Sequence, residues 1–211
     1  MTRADLPSIS RREARRRDRR DAILAVAARS FLENGYAGTT MSGIAAELGG
    51  SKGTLWSYFP CKEALFAAVL DRMTTDYRQR LQEILDPGEE VADTLLHFCI
   101  SLLEKVTSPD AIALHRLIAS EAGRFPEMGH IFYQHAPLQT RTQLAAYIAG
   151  AIERGQLRTP DPALAARALM TLATSGCHQQ LVWGLIDSAP ADLIRADAVF
   201  ATDMFMRAHA P

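Results

Sequence analysis

The chain has 211 residues, 48% of them hydrophobic, and its 23 Lys/Arg against 24 Asp/Glu leave a formal net charge of −1. That length suits one compact domain or two small ones with a real core, and the absence of any run of about 18 apolar residues excludes a membrane span. The charge is unevenly spread: residues 1–62 hold 11 Lys/Arg and 6 Asp/Glu, leaving 12 and 18 for the remainder, so a basic front (+5) sits on an acidic body (−6). This is the asymmetry expected when one end meets nucleic acid. Cys61, Cys99 and Cys177 are odd in number and far apart, which argues for a reducing, cytoplasmic setting rather than a disulfide framework. The polar, Arg-rich beginning has no apolar segment behind it and is not expected to be a secretory signal.

Residues 1–16 open a basic run that reaches Arg20 without an apolar period. They read either as a flexible arm adding phosphate or minor-groove contacts, or as a solvated tail. A first helix is expected from about Arg17 to Asn34, with Ile23, Ala27 and Phe31 on one face and Gly35 as its left-handed stop. Residues 40–59 then read as two short helices around a tight corner. Met41, Ile44, Ala45 and Leu48 fall at i, i+3, i+4, i+7 behind Thr40 as N-cap, Gly49 and Gly50 form the corner, and Ser51 can cap a second helix. Only Leu55 and Phe59 of that second helix are apolar at helical spacing. A helix that buries so little, and carries Lys, Thr, Trp, Ser and Tyr, is the exposed partner of a helix-turn-helix that reads the DNA major groove.

Beyond Phe59 the periodicity predicts an all-α chain. A long fourth helix runs from about Lys62 to Leu85 and is stopped by Asp86-Pro87-Gly88. Further helices are expected over 89–107, 110–123, 127–154 (bent or interrupted near Pro137), 161–186 with Asp161-Pro162 as its start signal, and 191–209. That makes nine helices and no strand candidate.

Gly35-Tyr36-Ala37-Gly38-Thr39-Thr40-Met41, Ile44-Ala45, Gly49 through Tyr58-Phe59 and Cys61-Lys62-Glu63-Ala64-Leu65 resemble the DNA-binding domain of TetR-family transcriptional regulators. The resemblance covers residues 17–77, and residues 78–211 are similar in helix order to the family's ligand-binding and dimerisation domain. Leu114 through Glu127 further resembles an AefR-like C-terminal domain, related to efflux-pump repressors. The resemblance implies a nine-helix, Ω-shaped homodimer. A small molecule would enter a cavity among helices 4 to 8, helix 4 would swing, and the reading heads would leave the operator. Three positions depart from the family pattern. Gly50 stands in the corner for a small apolar residue. Trp56-Ser57 replaces the frequent Tyr-His or Tyr-Tyr. Cys61 replaces Ser/Thr at the start of helix 4, where a poorer cap would cost up to about 1 kcal/mol.

The DNA contacts expected are phosphate contacts from Thr40, Ser51, Tyr58 and, as the resemblance implies, Lys62, with Lys52, Gly53, Thr54, Trp56 and Ser57 facing the bases. In the body, His97, Phe98, His115, Phe132, Tyr133, Met170, His178 and Trp183 are aromatic, Met and His residues suited to a cavity for a mostly apolar effector, and equally suited to plain core. Ala165, Leu169, Leu172 and Gly176, with Leu193, Phe200 and Met204, form stripes on the last two helices for a twofold partner, which implies a palindromic operator. His130 and His135 are five apart, and Cys177-His178 are adjacent, so no metal site is expected. No cofactor and no catalytic group is expected either, because the phosphate-loop, dinucleotide, zinc-protease and nucleophile-elbow motifs are all missing. The leading reading is a ligand-released repressor. The alternative is an activator, or a regulator controlled by a protein partner and lacking a cavity.

Overall fold

The computed structural model describes residues 11–49, 52–158 and 161–211. It is all-helical over them and divides into two compact units, Met1–Arg72 and Met73–Pro211. The division falls inside the long fourth helix, a few residues before the boundary at 77 expected from sequence.

The first unit holds α1 (Arg11–Gly38), α2 (Met41–Glu47), α3 (Lys52–Tyr58) and the first part of α4 (Lys62–Ile84). Residues 11–16 are helical, which corrects the expectation of a coil arm over 1–16; the rest of that arm lies outside the described residues. The physical reason is that Arg and Ala are good helix formers and extend a helix already nucleated by packing further along. Gly35 is left-handed (φ 75°), so the chain turns there as the sequence predicts, and helical geometry resumes to Gly38. The turn drives Tyr36 into the core. Its ring lies 5.8 Å from Phe31 and 5.4 Å from Phe66, and Phe31 and Phe66 are 5.0 Å apart edge to face. These three rings, with Ile23, Leu24, Ile44, Leu55 and Leu65, are the buried centre of the unit.

The second unit holds the remainder of α4, then α5 (Val91–Val106), α6 (Pro109–Glu121), α7 (Pro126–His135), α8 (Pro137–Glu153), α9 (Pro162–Thr174), α10 (Cys177–Trp183) and α11 (Ala191–His209). Among the described residues the nine expected helices become eleven, because two of them are divided. Pro137 separates α7 from α8 across Ala136, whose φ/ψ of −124°/−82° is not helical. Gly176 (φ −98°, ψ −115°) separates α9 from α10, a break that the sequence reading ran through. There the Asp197 carboxylate of α11 accepts the Cys177 N–H at 2.6 Å and occupies the space that a Cβ on residue 176 would need. Glycine is therefore required by close approach, not by positive φ. The core joins α5, α8, α9 and α11 through Phe98, Leu102, Leu144, Ile148, Leu169, Ala198 and Phe205.

Candidate functional site

The helix-turn-helix is built by local hydrogen bonding. Thr40 is the N-cap of α2: the Gly43 N–H donates to its Oγ1 at 3.0 Å, and the Thr40 hydroxyl stays exposed at the helix N-terminus. Its neighbour Thr39, which the sequence reading left without a role, is buried. Its hydroxyl donates to Gly35 O at 2.7 Å and lies 3.1 Å from Ser30 Oγ, tying the Gly35 turn to α1. Gly49 is left-handed (φ 62°) at the corner, while Gly50, Ser51 and the Lys52 side chain lie outside the described residues.

Helix α3 is anchored by Leu55 and, just past its end, Phe59, both buried. The opposite side is open: Gly53 and Ser57 are exposed, Thr54 and Tyr58 half-buried, and Trp56 keeps 39% of its surface in solvent. The Trp56 ring therefore projects outward rather than covering the core. The Ser57 hydroxyl donates to Thr54 O at 2.7 Å, which leaves its oxygen lone pairs to face solvent.

The start of α4 sits against the Gly35 turn. Lys62 Nζ donates to Tyr36 O at 2.8 Å and lies 4.1 Å above the Tyr36 ring, so this residue supports the fold of the unit as well as carrying charge. Tyr36 Oη also donates to Glu63 Oε1 at 3.4 Å. The poor cap expected at Cys61 is offset by Glu63. Its own backbone N–H and the Cys61 thiol donate to the carboxylate and, with the Lys62 charge and Tyr36, lower its pKa against a small desolvation. An acid in the first turn is also favoured by the helix dipole.

The basic run is helical and brings its arginines against the helix-turn-helix. Arg16 lies over Tyr58 (5.9 Å) and Arg20 over Phe59 (5.4 Å), and both are exposed. Arg19 lies 3.5 Å from Leu48 O, and Arg29 pairs with Glu47 of α2. The signal was present: Arg12, Arg16 and Arg20 are spaced i, i+4, i+8 on one helix face. The result places one guanidinium group over Tyr58 at the end of α3 and a second over Phe59 just past it.

In the second unit the eight cavity candidates scatter. His97 is exposed, 3.9 Å from Glu89, and Trp183 is 64% exposed; both are corrected from lining to surface positions, because each lies on the solvent side of an amphipathic helix. Tyr133 is also exposed, under the Arg141 guanidinium. Phe98 is fully buried core, and Met170 packs partly buried against that core. The remaining three come together. The His115 ring is 4.8 Å from His178 and 5.5 Å from Phe132, edge to face in both cases.

The interface stripes divide similarly. Ala165 and Leu169 are buried inside the chain, where α9 packs on α8 and α11, which corrects their expected place on a partner-facing surface. Leu172, Gly176 and Leu193 are half-buried, while Phe200 (52%) and Met204 (45%) are exposed. Leu164 (51% exposed) was missed and joins the outward apolar residues of α9 and α11. Among the described residues no group of three His, Cys, Asp or Glu side chains could hold a metal, and no helix is long and apolar enough to cross a membrane.

Residues 93–211 match the family described as AefR-like transcriptional repressor, C-terminal domain, and residues 23–69 match the tetR family of bacterial regulatory proteins. The HTH-type transcriptional regulator YhgD of Bacillus subtilis, itself uncharacterised, is 26% identical over 159 residues, 74% of this chain and 80% of its own. The solved structure of the flavonoid-responsive regulator FrrA superposes with a TM-score of 0.76 at 30% identity, covering 92% of this chain and 98% of that one. A TetR-family regulator from Mesorhizobium loti superposes with a TM-score of 0.81 at 22% identity over 93% and 99% of the two chains, a likeness of fold.

Proposed function

The chain belongs to the TetR family of bacterial regulatory proteins, with an AefR-like repressor C-terminal domain, and from that membership we propose that it is a repressor released from a palindromic operator by a small, mostly apolar ligand. As a helix-turn-helix transcription regulator it binds DNA and is not an enzyme. The observation that carries the proposal is α3. Leu55 and Phe59 are its buried anchors, and its other side offers Gly53, Thr54, Trp56 and Ser57 to a groove. Thr40, Tyr58, Lys62 and the guanidinium groups of Arg16 and Arg20 supply the surrounding phosphate contacts, which set affinity without reading sequence. Trp56 and Thr54 set preference, through apolar contact with a thymine methyl or a hydrogen bond to a base edge.

The outward apolar residues Leu164, Phe200 and Met204 support a twofold partner on α9 and α11, and a twofold protein reads a palindrome. That FrrA carries the name flavonoid-responsive supports an aromatic ligand for this chain as well.

The test is a titration on the DNA upstream of its own gene and on random DNA, at several salt concentrations, with and without a panel of hydrophobic aromatic compounds. Tyr58→Phe with Lys62→Ala should weaken binding to both DNAs and lower the salt slope by about 1 for each lost phosphate contact. Because Lys62 also holds Tyr36 O, a thermal melt of the variant separates lost contact from lost fold. Unchanged affinity in a folded double variant removes the phosphate assignment. DNA binding that no compound weakens, with no thermal shift, replaces ligand release by control through a protein partner.

A further inference from the structure

Three rings from three helices meet in the second unit: His115 of α6, Phe132 of α7 and His178 of α10. The hydrogen bonds of the two histidines fix their chemistry. His115 Nδ1 lies 2.9 Å from Ala111 O, one helical turn back. His178 is bonded in the same way to the backbone of Thr174, and since its Nε2 has no partner, Nδ1 makes that bond. A carbonyl oxygen can only accept, so in both rings Nδ1 carries the proton and Nε2 is left as a lone-pair acceptor. His178 Nε2 is buried with nothing donating to it, a costly condition that native proteins rarely leave without a purpose.

The surroundings narrow what could satisfy it. His115, Phe132 and His178 are each only partly buried, although the Nε2 atom of His178 is covered. Helix α7 is a light cover: Met128 is its one buried residue, and prolines bound it on both sides. The pair itself is neutral. Burial is the main cause that holds the His178 pKa to about 4, and burial also lowers that of His115. The Arg116 guanidinium, next in sequence to His115, donates to Leu181 O and Val182 O at the end of α10 (2.6 and 3.2 Å), so that end of the helix already carries a cation. An anion without a proton cannot donate to a lone pair. A metal ion would find two imidazoles and no third His, Cys, Asp or Glu among the described residues.

We propose that His115, Phe132 and His178 anchor an effector site that selects flat apolar molecules carrying a neutral hydroxyl donor, of which a phenol is the simplest, with the O–H donating to His178 Nε2 and the ring lying against Phe132. The proposal rests on the ligand-responsive reading above and adds to it a chemical class and an anchoring atom.

The test is calorimetric titration of the full chain with 4-phenylphenol and with its methyl ether, 4-methoxybiphenyl. The ether carries a methyl group in place of the donor proton, so the phenol should bind roughly ten-fold or more tightly. His178→Leu should bring the two affinities within about two-fold of each other, and His178→Gln, which keeps an acceptor, should restore part of the preference. The imidazole ¹⁵N resonance of His178 Nε2 in the wild-type protein should move on adding the phenol and not the ether, a readout that does not depend on any variant folding. Equal affinity of the wild-type protein for the two probes, or a preference that survives in His178→Leu, overturns the inference and leaves ligand release standing. No binding of either probe also overturns it, and the hydrophobic panel then decides the wider reading: a thermal shift or lost DNA affinity with other compounds keeps ligand release, and none removes it. Tight Zn²⁺ binding that vanishes in His178→Leu overturns it in favour of a metal site.

Discussion

The two units treat polar groups in opposite ways. In the first, Thr39, Thr40, Lys62 and Glu63 are each tied into a turn or a helix start around the Phe31, Tyr36 and Phe66 rings. In the second, Thr94 Oγ1, Ser101 Oγ, Gln143 Oε1, Tyr147 Oη and His178 Nε2 are buried without a hydrogen-bond partner, and among the described residues no such atom occurs before Tyr77. The contrast fits two tasks. A reading head must hold α3 in one geometry, so its polar groups are satisfied locally. Under the proposed ligand release the second unit must prefer its occupied state, and unsatisfied interior groups give a ligand something to gain.

The largest effect should come from the junction between α9 and α10. Gly176→Ala puts a Cβ into the Asp197 carboxylate, and Asp197 in turn holds the Cys177 N–H, so the break between α9 and α10 has to rearrange. A loss on the order of 2–4 kcal/mol is expected in denaturant unfolding. A variant as stable as the wild type would show that the junction is loosely held and that the second unit is softer than its core suggests.

A smaller effect should follow pH. An unfolded histidine takes up its proton near 6.5, whereas folded His178 does so only at about 4. A depressed histidine pKa gives stability that is fully present above pH 6.5 and lost as pH falls towards 4. With the solvent contact that His178 keeps, the loss is on the order of 1–3 kcal/mol at pH 4. His178→Gln should flatten this slope in melts across pH 4–7. Glu63, whose pKa is lowered, adds a loss only below its unfolded value of 4.5, in the first unit. An unchanged slope in His178→Gln would place the titration elsewhere.

The smallest effects bear most directly on the contrast. Ser101→Ala removes an unsatisfied hydroxyl and should be neutral or stabilising by up to about 1 kcal/mol. Thr39→Val removes a satisfied one, leaves Gly35 O with the residue-39 N–H alone, takes a partner from Ser30 Oγ, and should cost about 1 kcal/mol. Thermal melts of the two variants should shift in opposite directions, and shifts of the same sign would end the distinction between the units.

Much of the fold was legible because helical period and proline are local signals. The starts at Pro109, Pro126, Pro137 and Pro162 fall where those residues fit the first turn of a helix. The left-handed turns at Gly35 and Gly49 were legible for the same reason. The reading face was partly legible: a short helix with two apolar anchors must turn its other residues outward. The break at Gly176 was not, because the Asp197 that makes glycine necessary comes from α11, 21 residues further along the chain. Nor was the sorting of the eight body residues, since aromatic and His side chains at helical spacing look the same on a core face, a surface or a pocket.

By itself the sequence determined an all-helical chain, a helix-turn-helix over residues 40–59, a basic front and an acidic body, and the family to which these belong. Period, caps and composition act within a few residues, and no tertiary contact is needed to read them. Only the tertiary structure decided that Tyr36 and Thr39 build the head, that Lys62 is bound to the turn it follows, and that Ala165 and Leu169 belong to the chain's own core while Leu164 faces outward. It also decided that His115, Phe132 and His178 share one place. These outcomes depend on which helix faces meet, and that is set by packing between residues far apart in the chain.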